Sequence, residues 1–256
     1  MTTLQELDSI TAYGKWAKNY PPYAHNPVMC AEEKAMLSMI PKSMAGLNVL
    51  DAACGSGRYI KHAKERGAAK IVGTDISNEM LETAERAGIG TIKYSFGDNF
   101  DKPILLKSTL ESIPVPDEWA DIITCALAIG HSEELEIALG ELARILKPGG
   151  KLLVSDFHPI IASLGFKRTF IDGKNQYSVK HNIHHISHWA KILVPQNLII
   201  TNIEEPFLDE NDFSSAENEA IEHNSNFYRT ALSIPSIIVL ELSKTTSRHD
   251  SKALLA

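Results

Sequence analysis

The sequence has few cysteines, no long apolar run and no excess of positive charge. Its three cysteines, Cys30, Cys54 and Cys125, are odd in number and far apart, which predicts reduced thiols and not a disulfide framework. No apolar stretch approaches the roughly 20 residues that a membrane-spanning helix needs. The first residues show no basic flank followed by an apolar core, so no signal peptide is expected. These absences predict a cytoplasmic protein without a membrane partner.

The charge balance argues against a nucleic-acid partner. The 256 residues carry a formal net charge of −7, whereas a nucleic-acid binder presents a basic face to the phosphates. Hydrophobic residues make up 44% of the chain and charged residues 22%, a composition typical of globular proteins. The length predicts one large α/β domain with a substantial core. It leaves open whether the protein is a monomer or a homodimer.

From Leu47 onwards, short apolar runs alternate with amphipathic helical patterns. This alternation predicts right-handed βαβ units and a mostly parallel sheet covered by helices on both faces. The predicted strands are 47–51, 70–75, 121–125 and 150–156, and the predicted helices are 58–66, 78–87 and 132–146. One further strand lies at either 91–96 or 103–108, and the second position is favoured because it keeps the ordinary distance to Asp121.

The segments on either side of this core have other patterns. Asn26-Pro27 predicts a helix start, with asparagine as N-cap and proline at the first helical position, and the helix is expected to stop before Pro41. Residues 157–186 are rich in histidine, lysine and aromatics and predict an insertion, as a β-hairpin, over the sheet edge. A helix at 187–193 and closing strands at 197–203 and 236–242 follow. The predicted single domain covers 1–243, with a helical lid at 1–45, a cofactor-binding core at 46–156, an acceptor-pocket insertion at 157–196, closing strands at 197–243 and a disordered tail at 244–256.

The most informative stretch of the chain is 49–59. It predicts a buried strand that ends in Asp51, a turn through Gly55 and Gly57, and the start of a helix. A second acid, Asp75, ends the next apolar run. In a parallel sheet, such strand ends meet in one crevice where ligands bind.

The details of this motif favour a nucleoside without a pyrophosphate. A dinucleotide site needs a third glycine in its fingerprint, but Gly57 is followed by the bulky Arg58-Tyr59-Ile60. Asp51 at the strand end repels a pyrophosphate and attracts an α-ammonium group. Asp75 is placed to accept hydrogen bonds from both ribose hydroxyls. Together these features predict S-adenosylmethionine as the cofactor and methyl transfer as the reaction.

Over roughly 47–160, the chain resembles the class I S-adenosylmethionine-dependent methyltransferases, in particular the bacterial small-molecule branch. Each motif is weak alone, and the specificity lies in their order and spacing. The matching pieces are Val49–Gly57, Gly73–Ser77, Leu110–Pro114 with Asp117 and Asp121, Leu142–Gly150 and Ser155–Pro159. The resemblance implies a Rossmann-like, doubly wound, mostly parallel seven-stranded sheet.

The resemblance also implies roles for individual residues. Asp51, Ala53, Gly55 and Gly57 would hold the methionine part of the cofactor, and Asp75 the ribose. The other implied cofactor contacts are Ile76, Thr109 and Leu110 around the adenine, Ala126 with Leu127 on the methionine side, and Tyr20 from the lid.

Two positions depart from the family pattern. Ala53 replaces the commoner glycine, which is tolerable if its φ is negative. Thr109 falls where many relatives have aspartate, and its hydroxyl can still accept a hydrogen bond from the adenine amino group. If 91–96 is the strand, Asp98 takes that role instead.

Three histidines are candidates for the general base that some acceptors need. His131 follows the fourth core strand and is the first candidate, and His158 follows the fifth. His185, or His181, belongs to a run of four histidines whose spacing fits no common zinc pattern, so no metal is predicted. Tyr13, Trp16, Tyr20 and Tyr23 either line an acceptor pocket or anchor the N-terminal segment to the core. The alternative to a catalytic role for these histidines is a structural one, either hydrogen bonding to the backbone or exposure to solvent.

The predicted function is therefore methyl transfer from S-adenosylmethionine to oxygen, nitrogen or carbon of a small-molecule acceptor, with S-adenosylhomocysteine as product. Three alternatives stay open. They are a cyclisation that accompanies or replaces methylation, a nicotinamide-dependent oxidoreductase, and a non-catalytic interaction module with the same fold.

Overall fold

The computed structural model of the chain describes residues 4–97, 101–213, 230 and 232–245. The strands are β1 Gln5–Leu7, β2 Asn48–Ala52, β3 Lys70–Asp75, β4 Thr91–Lys93, β5 Ile104–Lys107, β6 Ala120–Ala126, β7 Leu146–Phe157, β8 Thr169–Asp172, β9 Asn175–Val179, β10 Leu198–Glu204 and β11 Ile237–Lys244. The α-helices are α1 Ser9–Trp16, α2 Pro27–Met39, α3 Arg58–Glu65, α4 Asn78–Arg86, α5 Leu135–Ile145, α6 Pro159–Ser163 and α7 Ile186–Leu193.

Eight strands form the central sheet, in the order β10-β11-β7-β6-β2-β3-β5-β4. The six strands from β7 to β4 pair in parallel, whereas β11 and β10 join in antiparallel. The strand order turns back at β2, which lies between β3 and β6. This arrangement places a crevice at the carboxyl ends of these three strands.

Alternate residues of the sheet bury their side chains on opposite faces, as the strand period of two requires. Val49 packs in the core that includes α2, α3 and α4, and Leu50 packs in the core that includes α5 and α7. Both faces are therefore covered, and this doubly wound α/β fold confirms the predicted fold class.

The predicted count of seven strands is wrong by one. The sequence was expected to form a strand at 91–96 or at 103–108, and the structure has both. Ile104–Lys107 pairs with β3, as favoured, and Thr91–Lys93 pairs on its outer side as a short edge strand. Gly90 allows this close approach, because a Cβ there would lie 2.9 Å from the Pro103 carbonyl oxygen.

The N-terminal segment and the insertion meet in a second, three-stranded sheet. β8 and β9 form the expected hairpin, and β1 adds to it in parallel, with Leu7 opposite Val179. α1 packs on this sheet through Ala12 and Trp16, whose ring stacks on Phe170 with centroids 5.0 Å apart. We call β1, α1, β8 and β9 the cap.

Helix ends follow local hydrogen bonding. The Asn26 side chain accepts a hydrogen bond from the Met29 N–H and caps α2 as predicted. α5 begins at Leu135 instead of at Ser132, whose hydroxyl donates to the Glu111 carboxylate and accepts from the Glu134 N–H. No helix in the described residues is long and apolar enough to cross a membrane. β11 continues to Lys244, and beyond Thr245 the predicted tail lies outside the described residues.

Candidate active site

A cavity with about 960 Å³ of empty space, part of it open to solvent, lies at the carboxyl ends of the central strands. Ten of the eleven predicted cofactor residues line it, and Gly57 does not. The ten are Tyr20, Asp51, Ala53, Gly55, Asp75, Ile76, Thr109, Leu110, Ala126 and Leu127. Asp98, the alternative adenine contact, lies outside the described residues.

Asp51 is a buried carboxylate at the end of β2. Its Oδ1 accepts a hydrogen bond of 2.7 Å from the Thr124 hydroxyl of the neighbouring β6. Its Oδ2 is buried and has no hydrogen-bond partner among the described residues. Burial raises the pKa of Asp51 to about 7, since the charged form is poorly solvated there. The cavity wall therefore holds a buried carboxyl group whose second oxygen can pair with a cationic group of a ligand.

Asp75 ends β3 and is held in a fixed orientation. Its Oδ2 accepts from the Gly55 N–H at 2.8 Å, and its Oδ1 accepts from the Ser77 N–H at 2.9 Å. Burial raises the pKa of this carboxyl, against those backbone hydrogen bonds. Because each carboxylate oxygen can accept more than one hydrogen bond, both remain able to accept from a ligand.

The glycine-rich turn has two positions of positive φ that bear on the predictions. Ala53 has φ of +53°, so the condition under which alanine is tolerable there, a negative φ, is not met, and the alanine stores left-handed strain beside the cavity. Gly57 has φ of +92°, and a Cβ there would lie 2.5 Å from Ile89 Cγ2. Gly57 thus shapes the turn into α3 without lining the cavity.

A buried ion-pair network below this turn was missed from the sequence. Glu32 of α2 is fully buried, and its Oε2 forms an ion pair of 2.7 Å with Arg58 Nη2. Its Oε1 accepts from the Tyr59 hydroxyl at 2.9 Å and from the Ser155 hydroxyl at 2.7 Å. Arg58 and Tyr59 line the cavity. The network joins α2, α3 and β7, and a lone glutamate in a helical pattern gave no signal of it.

On the cap side, a directed chain of hydrogen bonds borders the cavity. Arg168 Nη1 donates to the Tyr13 hydroxyl at 2.7 Å, and that hydroxyl lies 3.0 Å from His131 Nε2. His131 Nδ1 lies 3.1 Å from the Lys180 carbonyl oxygen. Because that carbonyl only accepts, Nδ1 carries the proton, and Tyr13 donates to Nε2. Arg168 was not identified from the sequence, since it lies outside the matched motifs.

This chain also sets the protonation of its members. Burial, and the nearby charges of Arg168 and His181, lower the pKa of His131 to about 4. Burial raises the pKa of the Tyr13 phenol well above its ordinary value. At neutral pH, both groups are therefore uncharged, and the guanidinium is the one charged member.

The other predicted histidines lie away from the cavity lining. His158 is buried, and its Nε2 lies 2.8 Å from a Glu205 carboxylate oxygen while its Nδ1 accepts from the Ile160 N–H. His185 is exposed and precedes α7. His181 packs behind His131, with ring centroids 5.5 Å apart, and its Nε2 lies 3.1 Å from Asp156 Oδ1. The geometry thus brings only His131 of these residues to the cavity.

The N-terminal aromatics divide between the two expected roles. Tyr13 and Tyr20 line the cavity. Trp16 anchors α1 by stacking on Phe170, and Tyr23 is 57% exposed. The lid segment therefore contributes both to the cavity wall and to the packing of the cap.

Residues 50–154 match the family model described as "Methyltransferase domain". The malonyl-[acyl-carrier protein] O-methyltransferase of Erwinia billingiae is 30% identical over 155 residues, which cover 60% of this chain and 55% of that protein. The ubiquinone/menaquinone biosynthesis C-methyltransferase UbiE of Francisella tularensis subsp. novicida is 33% identical over 129 residues, 46% of each chain. The chain thus spans about half the length of these relatives.

Solved structures share the fold at lower identity. A putative S-adenosylmethionine-dependent methyltransferase from Listeria monocytogenes superposes with a TM-score of 0.64 at 18% identity, covering 84% of this chain and 97% of that one. The [4+2]-cyclase SpnF gives a TM-score of 0.66 at 16% identity, covering 96% and 99%. The match over 50–154 includes the strand-end acids and the glycine turn, and it confirms the resemblance and the cofactor predicted from them. Over residues 50–154 the chain therefore matches a methyltransferase domain, and its fold is that of solved S-adenosylmethionine-dependent methyltransferases.

Proposed function

We propose that the protein transfers the methyl group of S-adenosylmethionine to a small-molecule acceptor and releases S-adenosylhomocysteine. The observation that carries the proposal is the Asp51 carboxylate, which lines the cavity with one buried oxygen left without a partner. An unpaired buried acceptor is costly. The α-ammonium of the cofactor is a cationic donor that fits it.

The rest of the wall fits the remaining parts of the cofactor. Asp75 offers two oriented carboxylate oxygens for the ribose hydroxyls. Ile76 and Leu110 supply apolar surface for the adenine, beside the hydroxyl of Thr109. Tyr20 comes from the N-terminal segment, which also lines the cavity.

When bound, the cofactor supplies a methyl group attached to a sulfonium sulfur. The C–S bond breaks as the methyl group is transferred, and the electron pair of that bond stays on sulfur. The acceptor forms the new bond with its own lone pair or enolate pair. The protein's task is to align the two and to exclude water. The cavity that would hold both reactants has about 960 Å³ of empty space, part of it open to solvent.

The contacts of His131 favour a different role from that of a general base acting directly on the acceptor. Although His131 lines the cavity, its Nε2 already accepts from the Tyr13 hydroxyl and is not free to take a proton from an acceptor. We therefore assign His131 as a positioning residue that fixes the Tyr13 proton. The raised pKa of Tyr13 favours acceptors that need no strong base, such as a carboxylate, a stabilised enolate or a neutral amine.

Calorimetric titration with S-adenosylhomocysteine tests the cofactor site. We expect micromolar binding to the wild-type protein and a loss of about tenfold to hundredfold in Asp75→Asn, since hydrogen bonds to a charged group contribute about 1.5–3 kcal/mol. Asp172→Asn removes an exposed carboxylate on the hairpin and should bind like wild type. Equal binding by all three proteins would refute the assignment of the pocket.

Mass analysis of acceptor screens then separates the reactions. A gain of one methyl group by the acceptor, with formation of S-adenosylhomocysteine, supports methyl transfer. Conversion at constant mass would instead support the cyclisation alternative, and binding without any conversion would support the non-catalytic one.

A further inference from the structure

Arg168 is a buried cation on the cavity wall, and it has no carboxylate within 4.0 Å among the described residues. Its exposed fraction is 8%. Its guanidinium donates to neutral oxygens only, namely Tyr13 Oη at 2.7 Å, the Leu127 carbonyl oxygen at 3.0 Å and Tyr20 Oη at 3.5 Å. A guanidinium has five N–H donors, so two stay without a partner in the described part of the chain.

The aromatic rings around Arg168 compensate its charge only in part. The guanidinium carbon lies 5.7 to 5.9 Å from the ring centroids of Tyr13, Trp16 and Phe157. Cation–π contacts at such distances are worth far less than the solvation that a buried charge loses. The Asp156 carboxylate acts on Arg168 from beyond ion-pair distance, and it is hydrogen-bonded to the Phe157 N–H and paired with His181.

The second buried arginine of the cavity shows the contrast. Arg58 is 7% exposed, close to the value for Arg168, but its Nη2 lies 2.7 Å from the fully buried Glu32 carboxylate. The charge of Arg58 is thus balanced within the protein, and the charge of Arg168 is not. A site that keeps a buried cation without its counterion is built for an anionic ligand.

The position of Arg168 favours the acceptor as the source of this anion. Its shortest hydrogen bond goes to Tyr13 of the cap, and its other two go to Tyr20 and to Leu127 just after β6, both of which the resemblance implies as cofactor contacts. Arg168 thus lies where the cap meets the cofactor side, which is where an acceptor must meet the methyl group. Asp51 and Asp75, which we assign to the cofactor, make their hydrogen bonds with other groups. The cavity therefore has a cofactor side of acids and a cap side with one unbalanced cation.

Building on the proposed function, we propose that the acceptor is an organic acid whose carboxylate binds the guanidinium of Arg168. The planar guanidinium offers its remaining donors to two oxygens of one carboxylate. Tyr13 and Tyr20 hold the guanidinium by accepting from it, and His131 keeps the Tyr13 hydroxyl turned so that its oxygen faces Arg168.

The experiment compares acids with their amides on the protein loaded with S-adenosylhomocysteine. The probes are acetate with acetamide, and benzoate with benzamide, measured by calorimetry or ligand-observed NMR. We expect each acid to bind the wild-type protein at least about tenfold more tightly than its amide. We expect this preference to disappear in Arg168→Gln. It should persist in part in Arg168→Lys, which keeps the charge but lacks the paired N–H donors of the planar guanidinium.

Lys167→Gln is the matched control. It removes the same charge from the adjacent residue, whose Nζ pairs with Glu6 at 2.7 Å on the surface, and it should keep the preference for acids. Equal or absent binding of acids and amides by the wild-type protein would overturn the proposal, and this comparison needs no variant to fold.

One rival is separated by the same titrations. If Arg168 instead holds the carboxylate of the cofactor, Arg168→Gln loses affinity for S-adenosylhomocysteine but not for 5′-methylthioadenosine, which has no carboxylate. That result would also overturn the proposal. Unchanged S-adenosylhomocysteine affinity with loss of acid binding supports it. Failure of the wild-type protein to bind S-adenosylhomocysteine would count against the proposed function, so the two failures are distinct.

Discussion

At the scale of single residues, Asp51 ties the cofactor site to pH. Its pKa in the ligand-free protein is about 7, and only the ionised form pairs with an ammonium group. We predict that affinity for S-adenosylhomocysteine rises between pH 6 and 7.5 and that binding releases a proton in that range. Calorimetry in two buffers of different ionisation enthalpy measures both quantities.

The matched variant is Asp51→Asn, which should bind more weakly and without this pH dependence. In the ligand-free protein, the sign for stability is opposite. Because the folded chain holds the Asp51 proton more tightly than the unfolded chain, this residue lowers the free energy of unfolding as pH rises from about 4 to about 7. Wild-type affinity that is flat from pH 6 to 7.5 would refute the assignment of Asp51 to the ammonium.

Residues also differ in how much their sequence context reveals. Asp51 and Asp75 could be found because each ends an apolar run, and strand ends converge in a parallel sheet. The backbone angle at Ala53 could not be predicted from the sequence, since an alanine in a loop gives no signal of a φ of +53°. It is imposed by the close turn between β2 and α3, which the surrounding structure fixes.

At the scale of elements, strands with a clear apolar run form where the sequence predicted them. β3 has the predicted bounds, and β2 is shifted by one residue. β1 was not expected, because Gln5–Leu7 has no strand pattern of its own, and it forms by pairing with β9. Both candidate positions around 91–108 became strands, since the sheet edge beyond β5 was free to pair.

Substitutions can test the contact between the turn after β6, which contains Gly130, and the segment after β9, which contains His181. A Cβ on Gly130 would lie 2.2 Å from His181 Cε1 and 2.7 Å from Asp156 Oδ2. We predict that Gly130→Ala lowers the free energy of unfolding by about 1–3 kcal/mol through overpacking. In a His181→Ala background, the penalty should shrink, and denaturant unfolding of the four proteins measures this coupling.

Gly140→Ala is the control for this cycle. Gly140 lies within α5, and the nearest atom to its added Cβ is Gln196 Oε1, at the end of a flexible side chain. Alanine has the higher helix propensity, so this change should be neutral or stabilising. If the penalty at Gly130 were the same with and without the His181 imidazole, His181 would not lie against this turn.

At the scale of the whole molecule, the cavity is built from two parts with different origins. The loops after β2, β3, β5 and β6 supply the cofactor side, and each belongs to a short contiguous motif. The cap side joins residues that are remote in sequence, such as Tyr13 and Arg168. Local patterns therefore predicted the first part, whereas the second depends on how the insertion folds back onto the N-terminal segment.

This division predicts two stages of ordering, which hydrogen exchange with mass spectrometry can follow. S-Adenosylhomocysteine alone should protect the amides at 53–57, 75–77 and 108–110, because it contacts the loops of the cofactor side. Adding benzoate to that complex should extend protection to 9–16 and 168–179, since the acid bridges to Arg168 and through it to α1. The contrary outcome is full protection of the cap by S-adenosylhomocysteine alone, with no further protection by benzoate. The cap would then belong to the cofactor site, and the two sides of the cavity would form a single binding site.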